Sequence, residues 1–228
     1  MSIVRREYSA LAEEGGAARS ALAALLDARG NPAQYAKTMY ELGSILGERV
    51  AGAIPKSDSC LLASTAEDAD YLTRGIYESL KLDHATKAAV FWNHHYSVPG
   101  GSIAPVVHKF LEPGYESSKT LVIAKAVISG SCVVRTNILE LIEQVNVDKI
   151  YIVSPVMHAK SEQSLRKEFS EDVASKFVFI YLAIDSEKTS DGEVVPGIGG
   201  EIYGLLGLPD QPARMSFMPK LVKQLASF

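Results

Sequence analysis

Three short stretches of this sequence bring together residues that can do chemistry. Ser129-Gly130-Ser131-Cys132 follows the apolar run TLVIA and precedes Val134, Ile138, Leu141 and Val145 at helical spacing. Small residues turning from a buried strand into a helix make backbone N–H groups and the helix dipole converge, which suits an anion such as a phosphomonoester. The same residue types also make a plain strand-to-helix turn. Lys125, just ahead, either neutralises such a ligand or snorkels to solvent. The second stretch, Ser64–Asp70, carries Glu67, Asp68 and Asp70. These acids suit acid–base work or cation binding, or form a helix first turn capped by Ser64 or Thr65. In the third, DGEVVPGIGGEIYG, the glycines at 197, 199, 200 and 204 let backbone approach a planar ligand, or make a turn-rich surface loop.

His94 and His95 invite a metal site with Glu67, Asp68 or Asp70, since imidazole and carboxylate are reasonable ligands. Adjacent residues on a strand face opposite ways, so one at most points into any shared site, and no metal site is assigned. His84, His108 and His158 stand outside any motif and read as surface or hydrogen-bonded residues.

The elements that must position these groups follow from periodicity. Asn31 and Pro32 open a helix running to Gly52, with Met39, Leu42, Leu46 and Val50 on one face, and LAALLDARG before it reads as a short helix leaving at Gly30. Residues 1–55 thus form a helical arm. From there the runs CLLA, KAAVFW, TLVIA, DKIYIVSP and KFVFIYLAI alternate with amphipathic stretches, including Leu72, Ile76 and Leu80. That alternation predicts an α/β core over 56–228 with a mainly parallel central sheet flanked by helices, in one domain with the arm. Residues 93–118 hold VPGGS and EPGY without a helical period and predict a long functional loop, in which SIAPVVHKFLE can supply strands. Ser161–Ser175 reads as a charged surface helix, and Pro219–Leu225 as a C-terminal one.

Composition narrows the classes. At 228 residues with net charge -4 and 47% hydrophobic content the chain offers no general attraction to a nucleic acid polymer. No apolar run reaches membrane-spanning length, and MSIVRREYSALAEEGG lacks a signal-peptide core, so a cytoplasmic, non-membrane protein is expected. Two cysteines, Cys60 and Cys132, are too few for a disulfide framework.

Three collinear stretches resemble the uracil phosphoribosyltransferase family: ALLDARGNPAQYAKTMYELGSILGERVAGAIP, TLVIAKAVISGSCVVRTNILELI and DGEVVPGIGGEIYGLLG. The resemblance implies a phosphoribosyltransferase-like fold with a helical arm and a loop hood, a homodimer or higher oligomer, and a phosphorylated ribose or nucleotide-like ligand. It places a 5-phosphate on Ser129, Gly130, Ser131 and Cys132, with Lys125 beside it. It places a base on the main chain of Val195, Gly197, Ile198 and Gly199.

The likeness fails at the chemistry. Where the family has an acidic residue before its phosphate loop, this chain has Ala124 and Lys125; where it has Arg-Ala-Gly, this chain has Leu62-Ala63 leading into the acids; where it has Tyr-Arg-Asp-Pro-Glu-Thr, this chain has Trp92-Asn93-His94-His95-Tyr96-Ser97. In the base loop Gly-Asp-Ala-Gly-Asp-Arg is replaced by Gly199-Gly200-Glu201-Ile202-Tyr203-Gly204. Transfer from an activated sugar depends on neutralising the diphosphate, and losing one such group costs about 2.7–4 kcal/mol. The expectation is a uracil phosphoribosyltransferase-like protein that keeps a phosphate or nucleotide site without standard uracil salvage. A divergent transferase, for which alone Mg²⁺ would matter, and a new enzyme using Glu67, Asp68, Asp70 or His94 stay open.

Overall fold

The computed structural model describes residues 6–14, 16–99 and 101–226. The first five residues of the start segment and Gly100 of VPGGS lie outside them. The chain opens with β1 (Arg6–Tyr8), α1 (Ala10–Glu14), α2 (Gly16–Asp27) and α3 (Pro32–Ala53). The Asn31 side chain accepts from the Gln34 N–H at 3.2 Å and caps α3 as its residue type predicts. The predicted helical arm differs in one respect: β1 pairs antiparallel with a core strand, so the arm is stitched into the sheet.

The core continues with β2 (Cys60–Thr65), α4 (Ala66–Asp68), a π-helical turn (Ala69–Thr73), α5 (Arg74–Asp83) and β3 (Thr86–Asn93). The long connection forms a hairpin, β4 (Tyr96–Val98) and β5 (Gly101–Ile103), and an edge strand, β6 (Val106–Leu111). There follow β7 (Thr120–Ala124), β8 (Val127–Ile128), α6 (Cys132–Ile142) and β9 (Lys149–His158). The predicted charged helix is two short ones, α7 (Ser161–Lys167) and α8 (Glu171–Ala174). Between them Phe169 turns inward against Phe177, edge to face at 5.2 Å. The chain ends with β10 (Phe177–Asp185), the ribbon β11 (Glu187–Lys188) and β12 (Val194–Val195), α9 (Ile202–Leu205) and α10 (Lys220–Leu225).

The sheet runs β1-β10-β9-β7-β2-β3-β6, with β8 on β9. Its inner pairs β10–β9, β9–β7, β7–β2 and β2–β3 are parallel, and its two edges antiparallel. Alternate residues feed two cores. Cys60, Leu62, Val122, Ala124, Tyr151 and Val153 pack under α2, α3 and α5, while Leu61, Ala63, Leu121, Ile123, Ile150 and Ile152 pack under α6. Glycines let α3 lie directly on the π-turn and α5: a Cβ on Gly47 would sit 2.8 Å from Ile76 Cα, and one on Gly43 would run into the Leu72 carbonyl.

From β2 the chain crosses to β3 with α5 on one face, and β7 lies on β2's other side, with α6 on the opposite face. The strand order therefore reverses between β2 and β7. In open parallel sheets a crevice opens at such a point, beyond the carboxyl ends of the strands.

Candidate anion-binding cleft at the switch point

The residues that leave β2 and β7 meet across that crevice. Lys125 follows β7, and its ammonium lies 2.8 Å from Asp68 Oδ2 and 3.2 Å from Glu67 Oε1, both in α4 after β2. All three are deeply buried, at 9%, 1% and 6% exposure for Lys125, Asp68 and Glu67. Asp68 Oδ2 also accepts from Thr65 Oγ1 at 2.9 Å and the Ala126 N–H at 3.3 Å. Thr65 donates its hydroxyl there, and its oxygen accepts no cap bond from α4. Burial alone would lower the Lys125 pKa; Asp68 and then Glu67 outweigh it and raise it, so the ammonium stays charged.

The acids are thus the first turn of a helix, as one sequence reading has it, but they are not solvated. They compensate a buried cation. Lys125 in turn is not free to reach solvent, and its charge is already divided between two carboxylates.

Above this triad lies a cleft of about 490 Å³. Ser129, Gly130, Ser131 and Cys132 line it together with Lys125, Glu67, His95 and Tyr203. Ser131 precedes α6 and Cys132 opens it, so the first N–H groups of an 11-residue helix end at the cleft. A Cβ on Gly130 would meet nothing within 4 Å. The Cys132 thiol donates to the Ser102 carbonyl at 3.3 Å, and burial raises its pKa, so it presents no negative charge. Burial and then the Glu67 charge also push the Tyr203 phenol up, leaving a neutral hydroxyl. Partial burial and the Lys125 charge hold the His95 imidazole below its ordinary value.

Other sequence candidates lie elsewhere. His94 stacks on Tyr96 at 4.0 Å, and its ring nitrogens meet the Tyr96 hydroxyl at 2.9 Å and Arg214 Nε at 2.7 Å. His95 is the neighbour that faces the cleft. Asp70 accepts from the Leu221 N–H at 2.9 Å and so caps α10. Val195, Gly197, Ile198 and Gly199 lie toward the arm. Gly197 N donates to Asp185 Oδ2 at 2.9 Å, its carbonyl accepts from Arg6 at 2.5 Å, and the Ile198 carbonyl accepts from the Tyr35 hydroxyl at 2.9 Å. Gly197 adopts φ 55, where a Cβ would strike the Val194 carbonyl. Val195 and Gly199 line a separate cavity of about 260 Å³ with Arg29. The predicted phosphate and base residues therefore border different cavities in this chain.

Among the described residues no group of three or more His, Cys, Asp and Glu is placed to hold a metal ion. Glu67 and Asp68 are held by Lys125, and Glu168 by Arg135, so these carboxylates do not fit a Mg²⁺ site. Of the other histidines, His84 is hydrogen-bonded to the Ala51 and Asp58 carbonyls, His158 to the Ser186 carbonyl, and His108 meets Trp92 edge to face. Cys60 is buried in the sheet and its thiol is pushed up to about 12. The sequence reading missed Asn93, Arg135 and Glu168, which also line the cleft. Arg135 lies one turn beyond the predicted loop, a spacing that marks it for the same cleft.

The fold recurs in a solved structure. The likeness is to the AQ2163 protein from Aquifex aeolicus. The two share 12% identity with a TM-score of 0.67 over 83% of this chain and 93% of that one, which shows a common fold. Partial overlaps occur with hypoxanthine-guanine phosphoribosyltransferase of L. donovani (6% identity, TM-score 0.46, 67% of this chain and 80% of that one). Another is with adenine phosphoribosyltransferase of Thermoanaerobacter pseudethanolicus (10%, 0.42, 62% and 80%). At those scores they carry no chemistry. No protein-family model matches the chain, and no curated protein sequence matches it significantly. No helix among the described residues is long and apolar enough to cross a membrane.

Proposed function

We propose that this chain is a phosphoribosyltransferase-like receptor for a phosphorylated ribose or nucleotide-like molecule, bound by its phosphate at the Ser129–Cys132 turn, and that it does not perform standard uracil salvage. One observation carries the reading: the turn opens α6 into a roomy cleft at the strand-order reversal, while the cation lining the cleft, Lys125, is held by Glu67 and Asp68. Helix N–H groups and hydroxyls suit a phosphomonoester. A diphosphate leaving group needs charge neutralisation, and Lys125 has none to spare. The internal hydrogen bonds of Gly197 and Ile198 also argue against main-chain reading of uracil by that loop.

The test is calorimetric titration with ribose 5-phosphate, UMP, uracil and phosphoribosyl diphosphate, with and without Mg²⁺, followed by a turnover assay on every binder. Metal-independent binding of phosphomonoesters without turnover is expected. Mg²⁺-dependent binding and consumption of phosphoribosyl diphosphate would refute the reading and establish a divergent transferase instead.

A further inference from the structure

The anion-binding turn of the cleft already holds an oxyanion, one belonging to the chain itself. Glu168, just past the end of α7, receives the Ser131 hydroxyl on Oε1, and its Oε2 lies 2.8 Å from Arg135 Nε. Ser131 precedes α6 and Arg135 lies in its first turn, four residues on, so hydroxyl and guanidinium make a two-point cradle at the positive end of the helix. Glu168 and Arg135 remain 35% and 45% exposed, so the pair can open without unfolding anything. A separate group in the same cleft is unspent. Asn93 is 6% exposed, donates its amide to Asn137 Oδ1 at 2.9 Å and the Ala104 carbonyl at 3.2 Å, and leaves its own Oδ1 without a partner among the described residues. That acceptor is shut away from solvent, so a donor could meet it only if the atoms covering it moved.

From this we infer that Arg135 is a phosphate-binding residue and that Glu168 is a built-in competitor for it: a phosphorylated sugar displaces the Glu168 carboxylate from Ser131 and Arg135 as it binds. The inference rests on the phosphomonoester reading above and adds to it a residue and a mode of affinity control. A dianionic phosphate outbids a carboxylate for the same donors because it brings more charge and more acceptor oxygens. The resting ion pair meanwhile keeps the cleft from retaining weak monoanions.

Ribose 5-phosphate is titrated calorimetrically into the full chain and the variants Glu168→Gln, Arg135→Gln and the double substitution, each first checked for an unchanged thermal melt. Glu168→Gln should bind about fivefold tighter and Arg135→Gln roughly tenfold weaker. The gain from Glu168→Gln should vanish in the Arg135→Gln background, because it acts by freeing that guanidinium. Two results overturn the inference while leaving the site reading intact: wild-type binding unaffected by either single change, or a gain from Glu168→Gln that persists without Arg135, which would mark simple charge repulsion. Absence of binding by wild type and Glu168→Gln alike would sink the site reading and this inference with it.

Discussion

Replacing Lys125 by Met removes the cation between Glu67 and Asp68 while keeping an unbranched side chain of similar length in the same space. At an effective dielectric near 20, each contact of this kind is worth about 4 kcal/mol of gross attraction, against which the burial of three charges subtracts. The net value of the triad is therefore modest, but breaking it is not. Two carboxylates at 1% and 6% exposure would be left facing each other without a counter-ion. Deleting one partner of a buried pair costs about 3–5 kcal/mol. Against a typical total of about 5–15 kcal/mol that loss is large, and it should lower the melting temperature by roughly 10 °C in a chain of this size.

Urea unfolding of wild type and Lys125→Met, followed by circular dichroism at several pH values, measures the effect. The sign with pH follows from the raised Lys125 pKa. Its contribution is complete at any pH below the ordinary 10.5 and is lost only on rising past it, so wild type should show no Lys125-linked change between about pH 6 and 9. The variant should regain part of its loss in acid, since protonating a buried carboxylate removes the uncompensated charge. Adding Glu67→Gln and Asp68→Asn should restore most of the stability, because a neutral triad leaves no charge to bury. A loss below about 1 kcal/mol for Lys125→Met, or no recovery in the triple variant, would refute the claim that charge compensation organises the crevice.

Gly130→Asp should abolish ribose 5-phosphate binding in calorimetry, because it sets a carboxylate in the cleft, while the melt stays near wild type since nothing lies within 4 Å of the new Cβ. Tyr35→Phe leaves the buried Ile198 carbonyl without its donor and should cost about 1–3 kcal/mol in urea unfolding. Gly43→Ala drives a methyl into the Leu72 carbonyl where α3 lies on the π-turn, and should destabilise by about 1–3 kcal/mol, with amide exchange speeding first in that helix pair.

The parallel sheet was legible because its strands are buried on both faces and so read as continuous apolar runs: TLVIA is β7 over the same five residues, and KFVFIYLAI is β10 shifted by one. The long helix was legible from Asn31, Pro32 and its apolar stripe. β1 was not, since REY is three residues whose pairing depends on β10, 179 positions away at the Arg6–Asp185 contact. The break between α7 and α8 was hidden for a similar reason, because helical periodicity cannot show that Phe169 is needed by Phe177. At the site, Ser129–Cys132 could be read from one contiguous stretch. The partners of Lys125 lie 57 and 58 residues before it and meet it only because β7 pairs with β2.

That pairing also decides what charge the cleft can accept. Around it stand two cations, Lys125 and Arg135, and three carboxylates, Glu67, Asp68 and Glu168, a formal sum of -1 with His95 held toward its neutral form. A ligand that displaces Glu168 from Ser131 and Arg135 meets one guanidinium and a helix terminus, which match a single phosphate. An activated sugar carrying a diphosphate as well would bring its second cluster of charge toward Glu67, where the one nearby ammonium is already shared between two carboxylates. On the receptor reading proposed above, the same Lys125 that ties β2 to β7 disfavours a diphosphate, so that one buried contact would bear on both stability and ligand choice.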